Sequence, residues 1–567
     1  MKKILALLLA AIMVLGLVAC GNDSDNASAS ASAETSASDT ADNATDEDED
    51  TGGSGQGGTE FSVAIASTPE TIDPQLNSSS DGGTYLMHIN QGLYRYKWDS
   101  TGVELGHAES VDVSDDGTVW TIKIREDSKW SDGEDLTAQD FEYTLKRLVD
   151  PDIAAPYAAD MGQFLLNGVA IVDGEMGVDE LGVKVIDDKT LELTLEGPCT
   201  FFEEILAFPS YMPVREDIIE AHGDRWTLSA DTCVMAGPYT VEEHANDEYL
   251  RVVQNEHYYD KDALVATEIT FQFLANDQVN LTSFQAGEIV FAKEFPIEEQ
   301  QNMESQGVAY TLPNLGTYYV SLNNIDEVMN NKDLRKALTL AVDRDYIANT
   351  VMEGTVIPAG AIVGAGFEDE DGKEFVDTAT SYFDVHDYEG NLEMAKQALA
   401  DAGYPNGEGL GTLEYKTNDT TTHKLVAEAL QSMWKEIGVN VEIVIQEWNV
   451  FLADRRDGNY VIARNGWLSD YNDPMSMLGL FYSSSGNNET KYDNTEYDAL
   501  LDTANTSGDL EERMQVMRDA QDLLIGEDWA TCPIYYYTTR YLAAVELIDW
   551  AASPVGYQFF HLAYLEV

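Results

Sequence analysis

A chain of 567 residues exceeds what one hydrophobic core usually supports, and two to four domains are expected. With 44% hydrophobic and 10% aromatic residues it is globular, and a formal charge of −70, from 102 acidic and 32 basic residues, excludes a general nucleic-acid binder. The same charge repels anionic lipid, so any membrane attachment must be covalent or inserted.

Met1 to Cys20 reads MKKILALLLAAIMVLGLVAC. Lys2 and Lys3 precede an apolar run from Ile4 to Ala19, a secretory signal over residues 1–19 that is too short and wrongly flanked for a membrane span. Leu17-Val18-Ala19-Cys20 resembles the bacterial lipobox, which implies cleavage before Cys20 and acylation of its thiol. Several acyl chains anchor stably where a single one does not. Residues 20–59 then form a low-complexity tether of Asp, Ser, Ala, Thr and Gly, without Lys or Arg and with nothing to bury. Its acidic run, Asp46 to Asp50, is no calcium loop, because Thr51 stands where the EF-hand glycine belongs.

The folded body is expected from Glu60, where Phe61 to Ile65 begins a strand. Val111 to Glu126 predicts a hairpin around Asp115-Asp116-Gly117, and Thr137-x-x-Asp140 predicts a capped helix burying Phe141, Leu145 and Leu148. A second hairpin joins Val183–Val185 to Leu191–Leu195. From Asp333 onward the texture becomes helix then strand. One helical face carries Leu334, Ala337, Leu338 and Ala341; another carries Leu392, Ala395 and Leu399. A third runs from Leu425 to Trp434 and leads past Gly438 into a strand, Val439–Ile445. The body is therefore α/β, with antiparallel hairpins first and αβ units after. Near the end, an apolar strand at Tyr460–Ala463 delivers RNGWLSDYNDP, Arg464 to Pro474, expected to leave a sheet edge as a loop. Arg464, Trp467 and Asp470 in that stretch suit a ligand with one positive and one negative end.

With Cys20 assigned to lipid, Cys199, Cys233 and Cys532 remain, allowing at most one intrachain disulfide. Cys199–Cys233 is the nearer pair and is left open, bonded or free. Cys532 reads as a small buried hydrophobe. No C-x-x-C occurs and no two His stand four apart, so neither metal nor cofactor is expected. The zinc-protease, nucleophile-elbow, phosphate-loop and S-x-x-K motifs are absent, and the abundance of acids makes chance carboxylate pairs uninformative. An enzyme is not expected, and an extracytoplasmic hydrolase stays a remote alternative.

Several strings occur together in one order: Trp120 to Pro151, DLRKALTLAVDR, ADAGYPNGEG, HKLVAEALQSMWKEIGVNVEIVIQEW, RNGWLSDYNDP and CPIYYY. This pattern resembles the oligopeptide-binding proteins of ABC importers, within the class of solute-binding proteins that also takes dipeptides, nickel and sugars. The likeness covers residues 60–567. It implies a two-lobed periplasmic-binding-protein-like fold with an extra domain inserted in the first lobe. Lobe I would combine 60–100, 234–317 and 534–567, the insertion 101–233, and lobe II 318–533.

The resemblance also implies ligand contacts. Its W-x-x-D element corresponds to Trp467 and Asp470, with Asp470 holding a peptide ammonium, and its cations for C-terminal carboxylates correspond to Arg455, Arg464 and His423. Trp448 and Trp467 would wall side-chain pockets, and Tyr157, in APYAAD, and Tyr537 would touch the peptide. A family Glu near the start corresponds to Ser78, and a family Cys after the Trp corresponds to Leu468, which leaves length preference open and gives Cys199–Cys233 no family support. The implied protein is a monomeric, extracytoplasmic lipoprotein that captures oligopeptides and passes them to a membrane permease, touching the membrane through its lipid alone. The alternatives are a dipeptide, a signalling or murein peptide, or an oligosaccharide on the same fold.

Overall fold

Strand β1 (Glu60–Ala64) alternates as its sequence predicts, burying Phe61 and Val63. The computed structural model describes residues 58–566 except 66, 67, 70, 246, 275, 368 and 370–372. The signal, the lipobox with Cys20 and the acidic tether up to residue 57 lie outside the described residues. Gly58 bridges Leu565, and the Thr59 carbonyl accepts from the Thr267 N–H at 2.8 Å, so paired backbone begins two residues before Glu60.

Strands β2 (Tyr94–Tyr96) and β3 (Val103–Leu105) form a small hairpin. The two predicted hairpins are β4 (Ala108–Val113) with β5 (Val119–Ile124), and β6 (Val183–Asp187) with β7 (Thr190–Thr194). They join as one four-stranded sheet in the order β4-β5-β7-β6. Against it lies helix Ala138–Val149, whose Thr137 N–H and hydroxyl both donate to Asp140 at 2.8 Å, the capping box its sequence announces. Phe141, Leu145 and Leu148 are buried on its inner face.

The other strands build one large sheet. On one side lie β8 (Tyr239–Ala245), β9 (Tyr249–Gln254), β10 (Glu268–Gln272) and β11 (Phe291–Lys293). Two long strands follow in space, β12 (Ala309–Leu322) and, from the far end of the chain, Thr531–Ala543. Between them in sequence come β13 (Ile357–Pro358), β14 (Thr412–Asn418), β15 (Asn440–Gln446) and β16 (Ile462–Leu468), so Thr531–Ala543 is β17. The order is β15-β14-β16-β12-β17-β11-β1-β10-β9-β8, with β13 also pairing β17. The predicted helices are Lys332–Leu340, Tyr388–Asp401 and Thr421–Glu436, and the last feeds β15.

Strands β12 and β17 run through both halves of this sheet. The beginning of β12, Ala309 to Pro313, pairs with Thr538 to Leu542, and its end, Thr317 to Ser321, pairs with Thr531 to Tyr536. The register slips between Pro313 and Thr317, so Asn314, Leu315 and Gly316 bulge opposite Tyr537.

The structure decides between the two cysteine states left open by the sequence. Cys199 and Cys233 are free, so the disulfide left open above does not form. They sit in different surroundings, Cys199 near Asp473 and Arg513 and Cys233 near Asp73, and burial pushes each thiol up to about 12. Cys532 is buried, as expected of a small hydrophobe.

The Asp73-Pro74 element anchors the start of the body to helix Ala138–Val149 and to Trp226. Arg147 grips Asp73 with two bonds of 2.8 Å, the Trp226 indole donates to the same carboxylate at 2.9 Å, and all three are buried. Stripping one partner from a buried pair costs about 3–5 kcal/mol. Asp73→Ala should therefore lower the urea midpoint with an unchanged m-value; an unchanged midpoint would show that the clamp is not needed.

Candidate functional site

The stretch expected to be a loop from Arg464 is strand as far as Leu468. Strand β12 supplies its partner: Gly316 to Leu322 pairs antiparallel with Leu468 to Ile462, which puts β16 inside the sheet. On its other side β14 meets only Ile462 and Ala463, so beyond Ala463 that edge of β16 has no strand partner among the described residues. An unpaired sheet edge offers backbone donors and acceptors to an extended chain.

Alternation along β16 puts Arg464 and Gly466 on one face and Asn465 and Trp467 on the other. The first face carries a tyrosine cluster. The Arg464 guanidinium stands 5.4 Å from the Tyr318 ring, with Tyr537, Tyr535 and Tyr415 also around it, and it forms no ion pair among the described residues. The Tyr318 hydroxyl interacts with both Tyr415 and Arg464, while the Arg464 Nε is buried without a hydrogen-bond partner among the described residues. Tyr537 fits because residue 466 is glycine, since a Cβ there would collide with its hydroxyl. The His423 ring lies 5.6 Å from Tyr318, and its Nδ1 is likewise unpartnered. Burial first, and then the charge of Arg464, push its pKa down to about 3, so His423 is neutral at physiological pH. His423 and Tyr537 line a cavity of about 730 Å³ between the two halves of the sheet, faced from the other half by Asn276, Glu294 and Arg540.

Arg455 is differently placed. It lies in helix Trp448–Asp457, and its Nε is 2.6 Å from Glu489, with side chains 8% and 11% exposed. Its Nη1 donates to the Arg464 carbonyl at 3.2 Å. Arg455 is thus charge-balanced by the protein itself. Trp448, seven residues earlier on the same helix face, is 44% exposed.

Asp470 ends the run beyond β16. It accepts from the Tyr157 hydroxyl at 3.2 Å and has no Lys or Arg partner among the described residues. Burial pushes its carboxyl up to about 6, with the Tyr157 bond pulling the other way. Its loop is held rigidly. The Ser469 N–H donates to the Leu315 carbonyl at 2.7 Å, Tyr471 stacks on Phe201 at 4.7 Å, and Asp473 holds the buried Arg513. Trp467 packs on the core beneath, its indole N–H buried without a partner among the described residues.

Five residues expected from sequence thus form two groups at opposite ends of one segment, Asp470 with Tyr157 and Arg464 with Tyr537 and His423. Sequence reasoning missed Glu489, Tyr318 and Tyr415. The alternation around Tyr318 and Tyr415 marks strands but not which face meets a cleft, and nothing local marks Glu489.

The pKa of Asp470 carries a stability consequence. Its folded value, about 6, exceeds the ordinary 3.8, so this group favours the folded chain below about pH 4 and that contribution is lost as pH rises through 6. The cost near neutrality is about 3 kcal/mol. Asp470→Asn should therefore raise the melting temperature of the ligand-free protein at pH 7.5 and leave it unchanged at pH 4. Equal melting at pH 7.5 would contradict the assignment.

Comparison with known proteins establishes the family and the fold. The profile of bacterial extracellular solute-binding proteins, family 5 (middle), matches residues 102–489. The chain is 31% identical over 517 residues to the oligopeptide-binding protein OppA of Bacillus subtilis, covering 90% of this chain and 93% of that one. It is 35% identical over 456 residues to the periplasmic oligopeptide-binding protein OppA of Escherichia coli, covering 80% and 81%. Its structure is similar to the unliganded open form of the periplasmic murein tripeptide-binding protein MppA, with a TM-score of 0.76 at 29% identity over 90% of this chain and 97% of that one. Listeria monocytogenes OppA bound to peptide gives a TM-score of 0.71 at 27% identity over 90% and 99%. The fold is the two-lobed α/β fold of periplasmic binding proteins.

Proposed function

Because the chain belongs to the bacterial extracellular solute-binding proteins of family 5, we propose that it captures oligopeptides in the cleft between its lobes and delivers them to an ABC permease. The observation that carries the reading is a pair of unanswered opposite charges on one segment. Asp470 is buried without a cation and Arg464 without an anion among the described residues, with the open edge of β16 between them. A peptide entering as an extended strand brings an ammonium, a carboxylate and a backbone to pair. An oligosaccharide would leave both charges unanswered.

Asp470 takes the ammonium and Tyr157 steadies that carboxylate. Arg464 takes the carboxylate, with Tyr537 and neutral His423 beside it. Trp467 and the exposed Trp448 wall side-chain pockets. Backbone pairing makes recognition largely indifferent to side-chain sequence. Lobe I comprises about 60–100, 234–317 and 534–567, lobe II about 318–533, and 101–233 is the insertion; the lobes close about the slipped register of β12 and β17. No covalent chemistry is required. The mature chain is an extracytoplasmic lipoprotein held by acylated Cys20, a monomer with no other membrane contact. The lipobox sequence supports this anchor, and among the described residues no helix is long and apolar enough to cross a membrane.

Titration calorimetry with an alanine tripeptide tests this. Asp470→Ala should weaken binding roughly 10²–10³-fold, the cost of a buried ammonium left unpaired. The N-acetylated tripeptide should bind the unmodified protein about as poorly. Because the ammonium requires ionised Asp470, binding near pH 6 should release protons. An unchanged dissociation constant in Asp470→Ala would sink the reading.

A further inference from the structure

We propose that Glu489 decides which peptide lengths the cleft accepts, by keeping Arg455 away from the ligand. The inference rests on the peptide-binding reading and goes beyond it. Arg455 and Arg464 both stand where the free edge of β16 begins, yet only one has its charge available. Glu489 lies 2.6 Å from Arg455 Nε, and the same carboxylate oxygen accepts from Asn465 Nδ2 at 3.0 Å. Glu489 is itself fixed, because its backbone carbonyl accepts from the Tyr460 hydroxyl. The pair is buried, so neither partner exchanges freely with water.

Two consequences follow from this geometry. Arg455, already neutralised, has little to gain from a second carboxylate. Its Nη1 also occupies the Arg464 carbonyl, the first backbone acceptor beyond the stretch covered by β14. A peptide running from Asp470 along the edge of β16 therefore meets a stop at Arg464. Five residues lie between these two, six steps along the chain, so their Cα atoms are at most roughly 22 Å apart. At about 3.3–3.6 Å per residue, an extended peptide whose two ends answer both charges has one best length, below about six residues. His423 offers no second cation, since it is neutral beside Arg464.

The test is calorimetry with alanine peptides of two to six residues, each as the free acid and as the C-terminal amide. For the unmodified protein, preference for the acid over the amide should exceed about tenfold at a single length and be near unity at the others. Glu489→Gln, which frees Arg455, should add acid preference at a second length. The double variant Glu489→Gln/Arg455→Gln should return the profile to a single length, separating a charge effect from local disorder. Acid preference at two or more lengths in the unmodified protein would overturn the proposal. So would a single-length profile in Glu489→Gln, or a second length that persists in the double variant. If no peptide of any length binds the unmodified protein, peptide capture itself fails. Should Glu489→Gln not fold by circular dichroism, Arg455→Gln decides instead: an Arg455 kept from the ligand predicts an unchanged length profile, and a lost or shifted acid preference would overturn the proposal.

Discussion

The antiparallel pairing of β12 with β17 joins the two halves of the large sheet, and the cleft residues hang from it. β11 pairs the end of β17 on one side, and β16 pairs the end of β12 on the other. Two strands paired without interruption over this length would make a stiff ribbon. The ladder is interrupted twice, by the slip between Pro313 and Thr317 where the two halves meet and by a second one between Tyr318 and Tyr319. A bulge adds twist and lets a strand bend. The first slip also leaves Tyr537 without a directly opposed residue, beside Arg464, so the feature that permits bending shapes the surroundings of Arg464.

Cations are scarce in this chain, and the interior uses them as clamps. Arg147 holds Asp73, and Arg513 holds Asp473. Arg335 donates to the carbonyls of Met329, Asp528 and Trp529, and Arg344 to those of Thr339, Val342 and Pro533. Each buried guanidinium thus has acceptors that offset its desolvation. Arg464 is met differently: among the described residues no carboxylate pairs with it, and aromatic hydroxyls surround it. Asp470 likewise has no Lys or Arg partner among the described residues. These two charges stand on one stretch of eleven residues, an arrangement that costs stability.

Much of this was legible in the sequence, for identifiable reasons. Period-2 alternation with turn residues located both hairpins, because each has one buried face. Period-3.6 faces and terminal glycines located the helices feeding the second half of the sheet. The extent of β16 was misjudged because Arg464, Asn465 and Gly466 have poor strand propensity. Their strand state comes from pairing with β12, which is far away in sequence. The residues proposed to hold the ligand's ends are marked by a motif, but their electrical states are not. Whether His423 is charged depends on burial and on Arg464, and whether Arg455 is available depends on Glu489, 34 residues further along the chain. The cysteines show the same limit, since proximity in sequence said nothing about their separate surroundings.

The loop from Ser469 to Asp473 ties the region around Phe164 and Phe201 to the second half of the sheet. Tyr471 leaves the second half of the sheet to stack on Phe201 with an interplanar angle of 6°, and Phe164 meets it edge-on at 6.3 Å. Arg513, bound to Asp473, lies over the same Phe201 ring at 5.2 Å. Tyr157 reaches Asp470 two residues before the Asn472–Asp473 end of this loop. Asp470 is therefore positioned by groups from distant parts of the chain. On the peptide-capture reading proposed above, affinity for the amino end and closure of the cleft would reinforce one another. A ligand with both ends free would gain from that closure, whereas one blocked at its amino end would meet a buried Asp470 it could not neutralise.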